Sequence, residues 1–327
     1  MKVSKSLLAY LLLYPFLCLA CTENDEFPIE QEHEEEDVIT HTEMSKIDIA
    51  DPYIMLYDEK YYAYGTGDTN KGFPVFSSED LFTWEYEGYA LIKENTDNQF
   101  LFWAPEVYFL DGRFIMFYAS NRQLFVAEAA SPTGPFRQIS GTPLVSGYGI
   151  DPSLFIDDDG RRYLTYTVNM TIYVAELNED LKSIKTNTAH PVFNKRQDWE
   201  KITRGDNEGS TILKHNGFYY MTYSGNYYQS PYYGIGVGIS KQIAGYWSKV
   251  DYNPILQFPK DLVGTGHHSF FIDKGGKLRI AFHAHHDKKN VFPRQMYIAD
   301  VHFEEQLNAP DKIVINTDNI ITPFYYK

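Results

Sequence analysis

The sequence predicts an all-β protein, a five-bladed β-propeller, on three observations. Aromatic residues make up 16% of the 327 residues, with 27 Tyr, 22 Phe and 4 Trp, a density that suits pleated, half-buried strands. From Ile47 onward, short apolar segments alternate with Asp-Gly, Asn-Gly and Gly-Gly turns, and no helical periodicity is sustained. One hairpin-like unit also occurs five times at intervals of about fifty residues, the period of four-stranded propeller blades.

The units are DPYIMLYDEKYYAYGTG (51–67), APEVYFLDGRFIMFYAS (104–120), DPSLFIDDDGRRYLTYT (151–167), EGSTILKHNGFYYMTYSG (208–225) and HHSFFIDKGGKLRIAFHA (267–284). Each reads as a small or charged opener, an apolar strand, a tight polar turn and an aromatic-rich strand. A β-sandwich would account for the strands but not for a recurring hairpin with matched landmarks. Asp151, Glu208 and His267 each stand fifteen residues before an aromatic of the second strand (Tyr166, Tyr223, Phe282), and Asp51 stands thirteen before Tyr64. The innermost strands of a propeller line its channel, so these openers are expected to converge on the axis. Carboxylates gathered there from separate blades raise one another's pKa, which marks a site with chemistry to perform.

The N-terminus reads as an export signal. Lys2 and Lys5 precede an apolar run from Leu7 to Ala20, too short to span a bilayer, and Cys21 follows. Leu17-Cys18-Leu19-Ala20-Cys21 is similar to a bacterial lipobox, with Cys18 where Leu is usual; a secreted protein with a chance cysteine is the alternative. Residues 1–20 are thus expected to be a lipoprotein-type signal peptide. Residues 21–45 are expected to be an acidic flexible tether, since 22–45 hold ten acids and no Lys or Arg. Residues 46–327 form one propeller domain. Cys18 and Cys21 are the two cysteines of the chain, so the domain has no disulfide framework. The 26 residues after Val301 are too few for an added β-sandwich. A net charge of −15 argues against nucleic acid as a partner. The expectation is an exported bacterial lipoprotein, outer-membrane or periplasm-facing, monomeric, touching membrane only through a lipid on Cys21.

Five motifs in order at blade spacing then stand out: Asp51-Pro52-Tyr53, Trp103-Ala104-Pro105-Glu106, Asp151-Pro152-Ser153, Glu208-Gly209 and Gly264-Thr265-Gly266-His267-His268-Ser269. Together they resemble glycoside hydrolase family 43, five-bladed propeller enzymes that cleave arabinofuranosides, xylosides and related links. The resemblance runs from about Ile49 to Val301. It implies Asp51 as general base, Glu208 as general acid and Asp151 as the carboxylate that orients the acid and tunes its pKa. It implies inversion of configuration, for which the base and acid stand ~6.5–9.5 Å apart to admit a water. It implies a calcium (or sodium) ion near His267, held mostly by water, because one imidazole is a poor calcium site; no organic cofactor is implied. Arg294 matches an arginine that reaches toward the base and the sugar, Trp103 is a candidate to stack on a pentose, and Tyr223 is a candidate for the pocket wall. Ser210 departs from the family pattern, which often has Pro after Glu-Gly.

His283, His285 and His286 pose a separate question, because His-x-His on a strand puts two imidazoles on one face, as zinc sites do. No carboxylate lies at a helical His-Glu spacing from them, which argues against a zinc hydrolase. The leading expectation is an inverting, exo-acting α-L-arabinofuranosidase working on pentose-containing oligo- or polysaccharide. β-Xylosidase, endo-acting arabinanase or xylanase, and exo-galactanase are the alternatives within the family. A glycan-binding surface lipoprotein without activity is the alternative from another class, and the three intact carboxylates count against it.

Overall fold

The computed structural model describes residues 43–97 and 99–327. The expected signal peptide, Cys21 and nearly all of the acidic tether lie outside the described residues.

Five sheets follow one another along the chain: four have four antiparallel strands each, and the first has four antiparallel strands with two short ones added at its outer edge. Their innermost strands are Ala50–Tyr57, Phe102–Leu110, Ile150–Ile156, Asn207–His215 and Gly266–Ile272. The second strands are Lys60–Thr66, Arg113–Ser120, Arg162–Val168, Phe218–Gly225 and Leu278–Ala284, joined to the first by the tight turns expected. In the fourth blade the turn is Asn216-Gly217, both residues with positive φ, the two-residue connection that matches strand twist. Each inner strand packs against the next, and that of the fifth blade packs against that of the first, closing a ring.

The aromatic richness has its cause in the core. Blades stack face to face, so a second strand is buried on both sides; Arg113–Ser120 is buried from Phe114 onward. Apolar side chains form five clusters, one at each junction between neighbouring blades, with Tyr64, Phe117, Tyr223, Phe282 and Trp84 fully buried among them. Wide gaps between twisted sheets call for bulky, flat side chains, and Tyr and Phe supply them.

The two ends of the described domain complete the ring. Residues after Val301 finish the third strand of blade five, supply its outer strand (Lys312–Ile321) and then cross to blade one. There Phe324–Tyr326 adds in parallel to the outer strand Thr83–Ile92, and Met44–Lys46 pairs with Phe324–Tyr326 in turn. Met44 and Ser45, assigned to the tether on sequence, are therefore part of the folded domain.

Candidate active site

One irregularity recurs in all five inner strands. Each carries a bulge against its second strand, and at each bulge one residue has a left-handed backbone: Asp51 (φ 53), Ala104 (φ 47), Asp151 (φ 58), Gly209 (φ 56) and His267 (φ 40). Four of these are not glycine, and each accepts about 1–2 kcal/mol of strain to stand there. Gly209 has a further constraint, because a Cβ would meet the His267 ring at 3.0 Å. Three of the predicted openers, Asp51, Asp151 and His267, thus occupy equivalent bulge positions.

Glu208 does not. The residue level with Asp151 is Gly209, and Glu208 precedes the bulge, as Trp103 does in blade two. The shared spacing of fifteen arose by compensation: blade three has a five-residue turn after four paired residues, blade four a two-residue turn after five.

Asp51 is buried and held on all sides. Its Oδ2 accepts from Thr66 Oγ1 at 2.6 Å, and Thr66 in turn accepts from the Ala104 N–H at 2.9 Å, tying the carboxylate to blade two. Its Oδ1 lies 3.1 Å from Arg294 and 3.3 Å from Nδ1 of both His267 and His283. Burial opposes ionisation, but Arg294 and the two histidines outweigh it and hold the carboxyl well below the usual carboxylate range. His283 stays neutral at physiological pH, since burial and Arg294 bring it down to about 3.

Glu208 has the opposite setting. Tyr233 donates to its Oε1 at 2.8 Å, yet burial, reinforced by the charges of Asp206 and Asp51, pushes it up to about 7. Asp151 is pushed well above its usual range by burial, Glu208 and Asp51. Its Oδ2 accepts the Gly209 N–H at 3.1 Å, so it grips the backbone immediately after Glu208. Two carboxyls whose surroundings drive their proton affinities apart can serve as base and acid in one reaction.

With this geometry in view, the chain matches the glycosyl hydrolases family 43 over residues 44–306. It belongs to that family. A Bacteroides thetaiotaomicron protein named endo-1,4-beta-xylanase superposes on this family 43 glycosidase with a TM-score of 0.83 at 40% identity, covering 88% of this chain and 100% of its own. An Aspergillus niger beta-D-galactofuranosidase is 29% identical over 305 residues, 84% of this chain and 82% of the relative. A Streptomyces avermitilis extracellular exo-alpha-(1->5)-L-arabinofuranosidase is 24% identical over 58% of this chain; the match spans 44% of that relative's length.

The remaining expected residues of the family 43 glycosidase divide. Arg294 stands against Asp51 as anticipated. Trp103 is half-buried at the register Glu208 holds in blade four, and its ring packs against the core between blades two and three. Tyr223 is not in the pocket wall. It is fully buried between blades three and four, where its hydroxyl donates to Glu200 Oε1 at 2.6 Å and the Lys249 ammonium sits 4.4 Å from its ring centre. The anchor residue of the second strand faces the blade junction, not the channel. The histidine cluster is dispersed: His283 faces Asp51, His285 Nε2 lies 2.9 Å from the Tyr228 carbonyl, and His286 lies 3.3 Å from Gln295. Thr66, His283, Tyr233 and Asp206 are the site residues that the sequence reading missed. Of these, the sequence singles out His283 only for its His-x-His spacing, and Thr66 pairs across the strand with Ala50, next to Asp51.

The site itself holds a small cavity of about 10 Å³, lined by Asp51, Glu106, Asp151, His267 and His268 among others. That is room for one water. Among the described residues no group of three or more His, Cys, Asp or Glu is arranged to hold a metal, and His267 Nδ1 is turned to Asp51. A calcium ion takes six to eight oxygens; beside His267 it would draw nearly all of them from water, and no step is routed through such an ion.

A buried ion pair supports the strand of Glu208. Lys249 pairs with the fully buried Glu200 and donates to Asn207 Oδ1 at 2.9 Å, directly before Glu208. Lys249→Met removes one partner and leaves a buried carboxylate uncompensated, so a loss of about 3–5 kcal/mol is expected. Urea unfolding monitored by tryptophan fluorescence measures it.

Proposed function

We propose that this family 43 enzyme is an inverting glycosidase in which Asp51 activates the attacking water, Glu208 protonates the leaving oxygen and Asp151 orients Glu208 through the Gly209 backbone. The observation that supports this reading is the split in proton affinity within one site: Asp51 is kept ionised by Arg294 and its two histidines while Glu208 keeps its proton to about pH 7. The substrate in this reading is a terminal α-L-arabinofuranosyl unit of a pentose-containing glycan. The arabinofuranosidase and galactofuranosidase relatives favour a furanoside. A β-xyloside is the second reading, favoured by the 40% identity to a protein named xylanase. Side-by-side assay of aryl α-L-arabinofuranoside and aryl β-D-xyloside separates the two. The anomer first released, read by NMR before mutarotation, tests the mechanism: inversion is expected, and retention would remove Asp51 from its role as base.

The pH dependence follows from the signs. The active form needs Glu208 protonated and Asp51 ionised. Activity is therefore expected to fall as pH rises through about 7, a limb that belongs to the coupled Glu208–Asp151 pair. It persists into acid below the usual aspartate range, because the Asp51 pKa is lowered. A kcat/KM profile whose alkaline limb lies beyond pH 9 would contradict the assignment.

Attachment of the chain to a membrane through acylated Cys21 is proposed from the sequence pattern of residues 2–21. Loss of radiolabelled palmitate incorporation in Cys21→Ser is the expected result.

A further inference from the structure

A row of aromatic rings links the two halves of the site. At one end Arg204 pairs with Asp206, the carboxylate whose charge acts on Glu208, and the Arg204 guanidinium lies 5.3 Å from the Tyr227 ring centre. Tyr227 meets Tyr228 at 4.9 Å between ring centres, and Tyr228 meets Phe292 at 6.4 Å. At the other end the Arg294 guanidinium, bound to Asp51, lies 4.9 Å from the Tyr228 ring and 6.0 Å from that of Phe292. The ridge therefore runs from beside the acid to beside the base.

The ridge is partly open to solvent. Tyr227 and Tyr228 are half-buried and Phe292 is 56% exposed. Rings needed only to hold Arg294 in place would gain by being covered. Sugar rings present flat C–H faces between their hydroxyls, and an open ring next to a cation and a carboxylate offers both stacking and hydrogen bonding to such a face.

We propose that Phe292, with Tyr228 beneath it, is the platform for the sugar unit adjacent to the one being cleaved, and so sets preference for glycan chains over single glycosides. The proposal rests on the glycosidase reading above. The test measures kcat and KM of the full chain and of Phe292→Ala on a glycosyl fluoride, which carries no second sugar, and on the matching di- to tetrasaccharides (arabinosyl and xylosyl series). The KM penalty on the oligosaccharides is expected to exceed that on the fluoride by about tenfold, with kcat shifted equally for both. Phe292→Trp should restore the oligosaccharide KM. Tyr246→Ala, which removes an 81% exposed ring from the outer part of blade four, should change neither substrate. Equal KM changes on fluoride and oligosaccharide, or none, would overturn the platform and reduce the ridge to a support for Arg294. If the wild type hydrolyses nothing, the glycosidase reading is what fails. Calorimetric binding of the tetrasaccharides to wild type and to Phe292→Ala then decides the platform by itself, equal affinities overturning it.

Discussion

Asp51→Asn is expected to lower kcat/KM by about 10⁴-fold on every substrate, activated aryl glycosides included. Without an ionised Asp51 no water is activated, and the quality of the leaving group cannot compensate. The amide keeps the shape, and its oxygen, turned into the place of the aspartate Oδ2, can still accept from Thr66. It also removes the one anion shared by Arg294, His267 and His283, so the variant is expected to be less stable as well as inactive. Circular dichroism at the assay temperature separates inactivity from unfolding. An Asp51→Asn enzyme that is folded and retains a tenth of wild-type activity would place the base elsewhere.

Glu208→Gln is expected to divide substrates by leaving group. Release of a sugar alcohol requires protonation, so oligosaccharide hydrolysis should fall about 10²–10⁴-fold, while a dinitrophenyl glycoside should lose far less. The same substitution is expected to stabilise the fold at neutral and alkaline pH. The folded pKa of about 7 lies above the ordinary value of 4.5, so the native state binds the extra proton between those pH values. The Glu208 contribution to wild-type stability is therefore full below about pH 4.5 and is lost as pH rises through 7, on the order of 3 kcal/mol. Glutamine carries no such proton, and its Tm at pH 8 should exceed that of the wild type by several degrees. A lower Tm at pH 8, with equal losses on both substrate types, would show Glu208 to be structural.

The architecture was legible because each blade contains a local signal. A strand, a two- to five-residue turn and an aromatic strand can be read from fewer than twenty residues, and the burial of both faces explains the aromatics. Convergence of Asp51, Asp151 and His267 was legible for the same reason. The exact level of Glu208 was not, since counting along the chain confounds turn length with strand length, and one residue of error moves a side chain to the other face of the strand. Tyr223 was misplaced by the same error: the residue used as a ruler lies on the opposite face from the channel. His283, Tyr233 and Asp206 reach the carboxylates from other strands and loops, and no local pattern tells which face they will meet. The residues after Val301 lie beyond the resemblance, and they supply the outer strand of blade five and the strand that meets Met44–Lys46.

That meeting bears on how the chain folds. Apart from this contact and the parallel pairing of Phe324–Tyr326 with Thr83–Ile92, the pairings in the sheets join segments near in sequence, so the blades can form as separate hairpins early. The contact of Met44–Lys46 with Phe324–Tyr326 joins the two extremes of the domain, and closing so long a loop costs about 3 kcal/mol more entropy than closing a hairpin. The circle is therefore expected to shut last and to open first, with blades one and five parting before either loses its own strands. Asp51 and Thr66 belong to blade one and His267, His283 and Arg294 to blade five. The parting of Met44–Lys46 from Phe324–Tyr326 would pull Asp51 from its partners while the hairpins on both sides stay intact, so loss of activity should precede loss of β-structure on heating.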